Sequence, residues 1–328
     1  MSLYLHGVGH SHPDHEIDNA FLESLDIGTN EAWILERVGI RARRTVMPLD
    51  YIRTTRNADP RAAVEAATFT NAMMGEAAAR MAVARAGIAL GDIGMVITGS
   101  SAPDTLSPAE ACNVAQRLGL EVPAFDINSA CTSFFVPVHL LSMMQPDKLP
   151  PYVLIVVTES LTRTVDYSYR ATAVLWGDAA AAAVVSTRVP GRALLGSTKL
   201  ESNPAGNDKV VVPRFGYFRQ DGQAVQKFAV KRSAELLKKL RAERGESSRS
   251  FSFVGHQANL RMLASVCKLC GIAPEQHLSN VERFGNTAAA GSLSVLSMAW
   301  DRFGPDDDVA AVGVGAGLTW GAYLLRFA

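Results

Sequence analysis

Short, continuous apolar runs alternate along this chain with longer stretches in which Ala and Leu recur at helical spacing. The apolar runs cover residues 95–98, 124–127, 152–157, 181–185, 251–254 and 309–314. They are apolar throughout rather than at every second position, the pattern of strands covered on both faces. The longer stretches, 68–86, 107–118, 133–144, 224–243, 260–269 and 288–302, carry the period of helices. Strands alternating with helices predict an α/β protein whose sheets are covered by helices.

The pattern occurs twice. The run 124–127 leads into Asn128-Ser129-Ala130-Cys131 and then a helix. Val281–Phe284, read as the matching strand, leads into Gly285-Asn286-Thr287 and then a helix of small residues. Each half closes on a Gly/Ala-rich stretch, 179–185 and 313–321. We read an internal duplication, with halves at 1–187 and 188–328. Residues 200–220, rich in Pro, Gly and Asn, predict a loop or an irregular cover over a site.

Composition narrows the classes. Lys+Arg and Asp+Glu both number 32, so the net charge is zero. Nucleic-acid proteins usually show a basic excess, so that class is excluded, while a local basic patch for an acidic partner is not. No apolar run approaches the roughly 20 residues of a membrane span. The first residues lack the basic start and apolar stretch of a signal peptide, so a cytoplasmic location is expected. Four cysteines, Cys112, Cys131, Cys267 and Cys270, are too few for a disulfide framework in a chain of 328 residues.

Cys131 falls between a strand and a helix expected to begin near Thr132. Free N–H groups and the partial positive charge of a helix start favour thiolate and suit an oxyanion. The other reading is a small buried hydrophobe. His256 directly follows the run 251–254, where α/β folds place their sites. It fits a general base, an oxyanion donor, a metal ligand or a structural histidine. Asn286 by itself fits a helix N-cap. His6, His10, His12 and His15 suggest a metal cluster, but no Cys or carboxylate completes the spacing, so no metal is expected. Cys267 and Cys270 have redox spacing within one helix and read as core. The glycine run 313–317 lacks the βαβ unit of a dinucleotide site.

Taken together, five ordered segments resemble the β-ketoacyl-acyl carrier protein synthase III family of the thiolase superfamily. They are Thr29-Asn30-Glu31-Ala32-Trp33 through Arg37-Val38-Gly39-Ile40-Arg41, Ala124 through Cys131, Gly255-His256-Gln257-Ala258-Asn259-Leu260-Arg261, Gly285-Asn286-Thr287-Ala288-Ala289, and Gly313 through Gly321. The resemblance implies a thiolase-like five-layered αβαβα fold built from two similar halves and paired as a homodimer. The dimer interface would include the strand leading to Cys131 and residues 107–114.

The resemblance also implies a role for each residue. Cys131 would take an acyl group from a coenzyme A thioester, a substrate rather than a cofactor. His256 and Asn286 would stabilise the enolate formed when a malonyl thioester on acyl carrier protein loses carbon dioxide. The backbone N–H groups of Cys131 and Ala316 would form the oxyanion hole, with Ala316 standing where the family usually has glycine. Trp33 and Arg170 would flank the adenine of coenzyme A, with Thr29 and Arg37 nearby and Asn259 on the pantetheine arm. Arg261, Lys268, Lys227, Lys231 and Arg232 would dock the acidic carrier protein, although such a charge run also fits a solvated helix face. Two other functions remain open at this point. One is a secondary-metabolism relative that joins two long acyl chains or transfers an acyl group to oxygen or nitrogen. The other is a non-catalytic partner subunit.

Overall fold

The computed structural model describes residues 2–328. Ten strands form one sheet: β1 Leu3–Ser11, β2 Ile93–Gly99, β3 Ala124–Asp126, β4 Tyr152–Glu159, β5 Ala179–Ser186, β6 Ala193–Ser202, β7 Ser250–Gly255, β8 His277–Leu278, β9 Asp307–Gly315 and β10 Thr319–Phe327. The first five lie in the order β3-β2-β4-β5-β1, and the second five repeat it as β8-β7-β9-β10-β6. Strand directions repeat as well. β2 runs parallel to β3 and β4, and β7 runs parallel to β8 and β9, while the remaining pairs are antiparallel. The two portions join where Leu3–Leu5 of β1 meet Leu195–Ala193 of β6.

Six helices complete the layers: α1 Asn71–Ala86, α2 Glu110–Leu118, α3 Phe135–Met143, α4 Gly222–Arg244, α5 Leu260–Cys270 and α6 Ala288–Met298. α1 and α2 pack on one portion of the sheet, and α4 with α5 cover the other. α3 and α6 lie between the portions, with α6 touching β1, β4 and β5 on one side and β7 and β9 on the other. The sequence explains that place. Every residue of α6 from Ala288 to Ser297 is buried, and the helix has no charged face. β5, Ala-rich and buried at every residue, lets helices approach from both sides. A Cβ on Gly313 of β9 would lie 2.4 Å from the Phe135 ring of α3, and one on Gly321 of β10 would lie 3.0 Å from Phe135 Cβ. The C-terminal glycines therefore let the sheet close onto α3.

The apolar runs and long helices fall where the pattern put them, with shifted ends. The stretch 68–86 becomes a helix only at Asn71, because the Thr70 side chain accepts from Met73 N–H at 3.1 Å and caps it there. The stretch 107–118 starts at Glu110, after Pro108. Val281–Phe284 is a correction: it is one helical turn, not a strand, and β8 takes the strand position before it. The i,i+3 spacing brings Val281 and Phe284 to one side of that turn, and Gly285, at φ +68°, ends it. The cover 200–220 is partly regular. β6 runs to Ser202, and Val210–Val211 pairs with Arg219–Gln220. The full lengths of β1, β6 and β10 carry polar and glycine residues that hid them.

Candidate active site

Cys131 lies in a single 3-10 turn, Ala130–Thr132, between β3 and α3. The expectation of a helix starting near Thr132 is corrected, because α3 begins only at Phe135. Ala130 is held at φ +47°, and its N–H donates to Asn128 Oδ1 at 2.9 Å. Ser133 Oγ donates to Ala130 O at 2.7 Å, and Thr132 Oγ1 shares a 2.8 Å bond with Thr319 Oγ1 of β10. A Cβ at Gly315 would sit 3.0 Å from Cys131 N, so glycine there leaves the Cys131 N–H uncovered.

The backbone N–H groups of Cys131 and Ala316 both favour the charged form of the sulfur. Burial pushes the thiol up to about 12, with the Glu159 carboxyl adding to the rise and the two N–H groups opposing it. Desolvation thus outweighs the two N–H groups and favours the thiol. Acyl transfer therefore needs a base. Ala316 is not among the residues with positive φ, so alanine stands there without backbone strain.

His256 follows β7 and is buried at 7% exposure. Burial lowers its pKa to about 4, which leaves the imidazole neutral at pH 7, with one N–H to donate and one lone pair to accept a proton. Asn286 is held by an exchange with the chain before β5: its N–H donates to Leu175 O at 2.9 Å and its carbonyl accepts from Gly177 N–H at 3.0 Å. Its side-chain oxygen accepts from Ala288 N–H at 2.9 Å. The oxygen is committed to the turn, so the side chain's chemistry toward a substrate is that of its amide N–H donors.

Cys131, His256, Asn286, Ala316, Trp33, Arg37 and Asn259 line one cavity of about 390 Å³. Asn259 also caps α5, accepting from Met262 N–H at 2.7 Å. Arg170 and Thr29 lie outside that lining. The Arg170 guanidinium rests 4.9 Å from the Trp33 ring centroid and donates to Gly28 O. The pair is stacked on itself, so a purine between them requires Arg170 to swing away. Thr29 Oγ1 is buried without a partner. The residues that pattern reading missed are apolar walls such as Trp176, Phe228, Met262 and Leu318, which carry no chemical signature. Beyond Cys131 a chamber of about 180 Å³ is lined by Leu161, Trp176, Val210, Val212 and Phe218, among others. Three of these come from the 200–220 cover.

Lys227 and Lys231 line a separate groove of about 640 Å³ between α4 and α5, and Lys268 is exposed on α5. Arg261 is engaged elsewhere, donating to Leu35 O and Glu36 O at 3.0 Å each. Arg232 pairs with Glu235 at 2.8 Å and stacks over Trp320. The four N-terminal histidines do not converge. His6, His10 and His15 bond Val189 O, Ser297 Oγ and Thr68 Oγ1, and His12 stacks on Phe284. Among the described residues no group of three His, Cys, Asp or Glu side chains is arranged to hold a metal, and no helix is long and apolar enough to cross a membrane. Cys267 and Cys270 are buried and free.

Two sheet portions around a buried helix pair, with a cysteine, a histidine and an asparagine facing one cavity, define a thiolase-like condensing enzyme. The comparisons with known proteins narrow the class. The 3-oxoacyl-[acyl-carrier-protein] synthase III model matches residues 125–204, and its C-terminal model matches residues 247–327. The β-ketoacyl-[acyl-carrier-protein] synthase III of Syntrophomonas wolfei is 32% identical over 100% of this chain and 98% of its own. That of Mesorhizobium japonicum is 31% identical over 98% of each chain. The crystal structure of the Aquifex aeolicus 3-oxoacyl-[acyl-carrier-protein] synthase III superposes with a TM-score of 0.87 at 27% identity, covering 99% of this chain and 100% of that one. The chain belongs to the 3-oxoacyl-[acyl-carrier-protein] synthase III family and is an acyltransferase of the condensing type. Neither the acyl-joining or O/N-transfer readings nor the non-catalytic subunit is favoured by these relatives.

Proposed function

We propose that this enzyme acylates itself on Cys131 from an acyl-coenzyme A and condenses the acyl group with a malonyl thioester carried on acyl carrier protein, releasing CO2. The observation that carries the proposal is the meeting of Cys131, His256 and Asn286 in one cavity that Ala316 also lines.

In the first stage neutral His256 accepts the thiol proton as sulfur attacks the thioester carbonyl. The N–H groups of Cys131 and Ala316 take the oxyanion, and coenzyme A leaves with the proton. In the second stage the malonyl thioester loses CO2. The enolate oxygen accepts hydrogen bonds from His256 and the Asn286 amide, and its carbon attacks the acyl-cysteine, releasing the sulfur. Neutral donors suit this task because they strengthen as charge develops without pairing to the ground state. The acyl chain lies in the chamber beyond Cys131.

Trp33 and a displaced Arg170 would flank the adenine, with Arg37, Thr29 and Asn259 along the arm. Lys227, Lys231 and Lys268 would meet the acidic carrier protein, and Arg261 and Arg232 would serve mainly by fixing local structure. The proposed assembly is a homodimer through β3, the sheet edge, where Phe125 is 41% exposed and nearby Leu106 is 71% exposed. Two similar units, 1–187 and 188–328, are part of the same reading, supported by the repeated strand order. So is a cytoplasmic location. Intact-mass measurement with acyl-coenzyme A donors, followed by product analysis with malonyl-acyl carrier protein, tests the scheme. Acyl mass on Cys131 and a β-ketoacyl product formed with release of CO2 are expected; no acyl mass from any donor would overturn it.

A further inference from the structure

Glu159 ends β4, and its side chain is fully buried. A buried carboxylate is costly unless a cation or several hydrogen bonds compensate it. Among the described residues the buried ion pairs join Arg163 to Asp104, and Arg244 and Arg249 to Asp308; none reaches Glu159. Its partners are the Ser101 N–H at 2.9 Å, the Ser101 hydroxyl at 3.2 Å and the Ala289 N–H at 3.4 Å. Ser101 lines the chamber beyond Cys131. Ala289 belongs to the first turn of α6, directly after the Asn286 turn. The carboxyl therefore bridges two walls of the active site without entering the cavity.

Its place in the fold gives a second argument. β4 and β9 are corresponding strands, and Glu159 and Gly315 are their last residues. Gly315 lies against Cys131, which follows the positive-φ Ala130. Glu159 lies against Ala289, which follows the positive-φ Ala288. The Ala289 N–H thus stands in one half where the oxyanion-binding Cys131 N–H stands in the other. In the reacting half glycine leaves that N–H to the substrate. In the opposite half Glu159 occupies it.

We infer that Glu159 is a positioning residue which fills the counterpart of the catalytic cavity, ties the Ser101 wall to the Asn286 turn, and governs the charge near Cys131. Burial supports this by pushing Glu159 up to about 8, against the pull of its bonds from Ser101 and Ala289. The other titratable groups around the pair are Asp178, itself pushed up to about 6 by burial, and neutral His256 across the cavity. Ionising Glu159 places a negative charge beside the sulfur and disfavours thiolate. Replacing it with a neutral group therefore lowers the thiol's pKa and raises the thiolate fraction at alkaline pH.

The inference rests on Cys131 as the acyl carrier, and the two fail separately. A wrong carrier appears as acyl mass elsewhere than Cys131; a wrong role for Glu159 leaves acyl mass on Cys131 and changes only the outcomes below. The test compares wild type, Glu159→Gln and Glu159→Ala. Alkylation of Cys131 by iodoacetamide is followed by mass between about pH 6 and pH 10, with acylation and condensation rates measured near pH 7. In Glu159→Gln both rates should stay within about threefold of wild type, because a neutral amide replaces a neutral acid of the same shape, while alkylation near pH 9 rises by about tenfold. Glu159→Ala should lose condensation more than acylation, because the Asn286 turn is released. If Glu159→Ala does not fold, Glu159→Gln still decides. A wild-type alkylation profile in Glu159→Gln would overturn the inference. So would its failure to fold, or loss of condensation near pH 7 in the folded variant.

Discussion

Asn128 and Asn286 make the same turn in the two halves of the molecule: each side-chain oxygen accepts from the N–H two residues on at 2.9 Å, and the receiving alanines, Ala130 and Ala288, stand at φ +47° and +44°. One turn delivers the proposed nucleophile at its next residue, Cys131. The other delivers an amide, Asn286 itself, and continues into Ala289. A single local device, used twice across the joined sheet, thus aims two unlike groups into one cavity.

Cys131→Ala should abolish both acylation and condensation while the chain stays folded. The change removes one partly buried sulfur and keeps every backbone bond of the turn. Intact mass after incubation with acyl-coenzyme A reads the first loss and product analysis the second. Acyl mass at the wild-type level in this variant would remove Cys131 from the scheme.

Asn286→Asp separates cap from donor. A carboxylate keeps the oxygen that accepts from Ala288 N–H, so the turn should persist. The amide donors are lost, and condensation should fall by about two to three powers of ten, the scale of one oxyanion donor. Acylation of Cys131 should change far less, because the enolate arises only afterwards. Loss of acylation with decarboxylation intact would reverse the assignment.

His256 should also write itself into acid stability. Its folded pKa of about 4 lies below the ordinary value of 6.5, so the unfolded chain binds the proton more readily. The neutral form's advantage is intact above pH 6.5 and is lost progressively as pH falls toward 4. Relative to pH 7.5, wild type should lose about 2 kcal/mol from this group near pH 5, an order-of-magnitude figure. His256→Asn should show a correspondingly smaller loss. Urea unfolding at the two pH values checks it; equal acid sensitivity in both proteins would count against a buried neutral imidazole.

Trp33→Ala should raise KM for acyl-coenzyme A by about tenfold and leave kcat nearly unchanged, since the ring touches only the handle of the substrate. Simple acyl thioesters without the nucleotide should not feel the change. Steady-state kinetics with both donors makes the comparison.

A double reversal, Lys227→Glu with Lys231→Glu, should weaken use of carrier-borne malonyl by about tenfold at low salt, with the difference shrinking as salt is added. Acylation from coenzyme A should not move. Equal effects on both substrates would point to damage of α4 rather than to docking.

Layering, the main helices and the meeting of Cys131, His256 and Asn286 were legible in sequence because each rests on a local pattern. Continuous apolar runs mark doubly covered strands such as β4 and β5, and ordered motifs mark the turns that carry Cys131 and Asn286. β1 was legible only at His6–Gly9, as a strand leaving into a turn, because His6 and His10 interrupt its apolar pattern, although each finds a partner once folded. Val281–Phe284 misled because four apolar-rich residues before a glycine suit a strand or a helical turn equally well. Glu159 was invisible for another reason. At the end of an apolar run it looks like the residue where a strand meets water, and only the three-dimensional pairing of the halves shows what lies opposite it. The surroundings of the Cys131 thiol were less legible, because a helix start is a local property, whereas desolvation depends on everything around the sulfur.

The glycines at 313 and 321 act as a depth gauge. With hydrogen alone on those two carbons, the sheet seats against Phe135, the first residue of α3, whose chain runs back through one short turn to Cys131. How closely α3 approaches the sheet is therefore set at two positions that carry no side chain. A single methyl at 313 would act as a shim, lifting the helix and shifting Cys131 relative to the groups proposed to work with it.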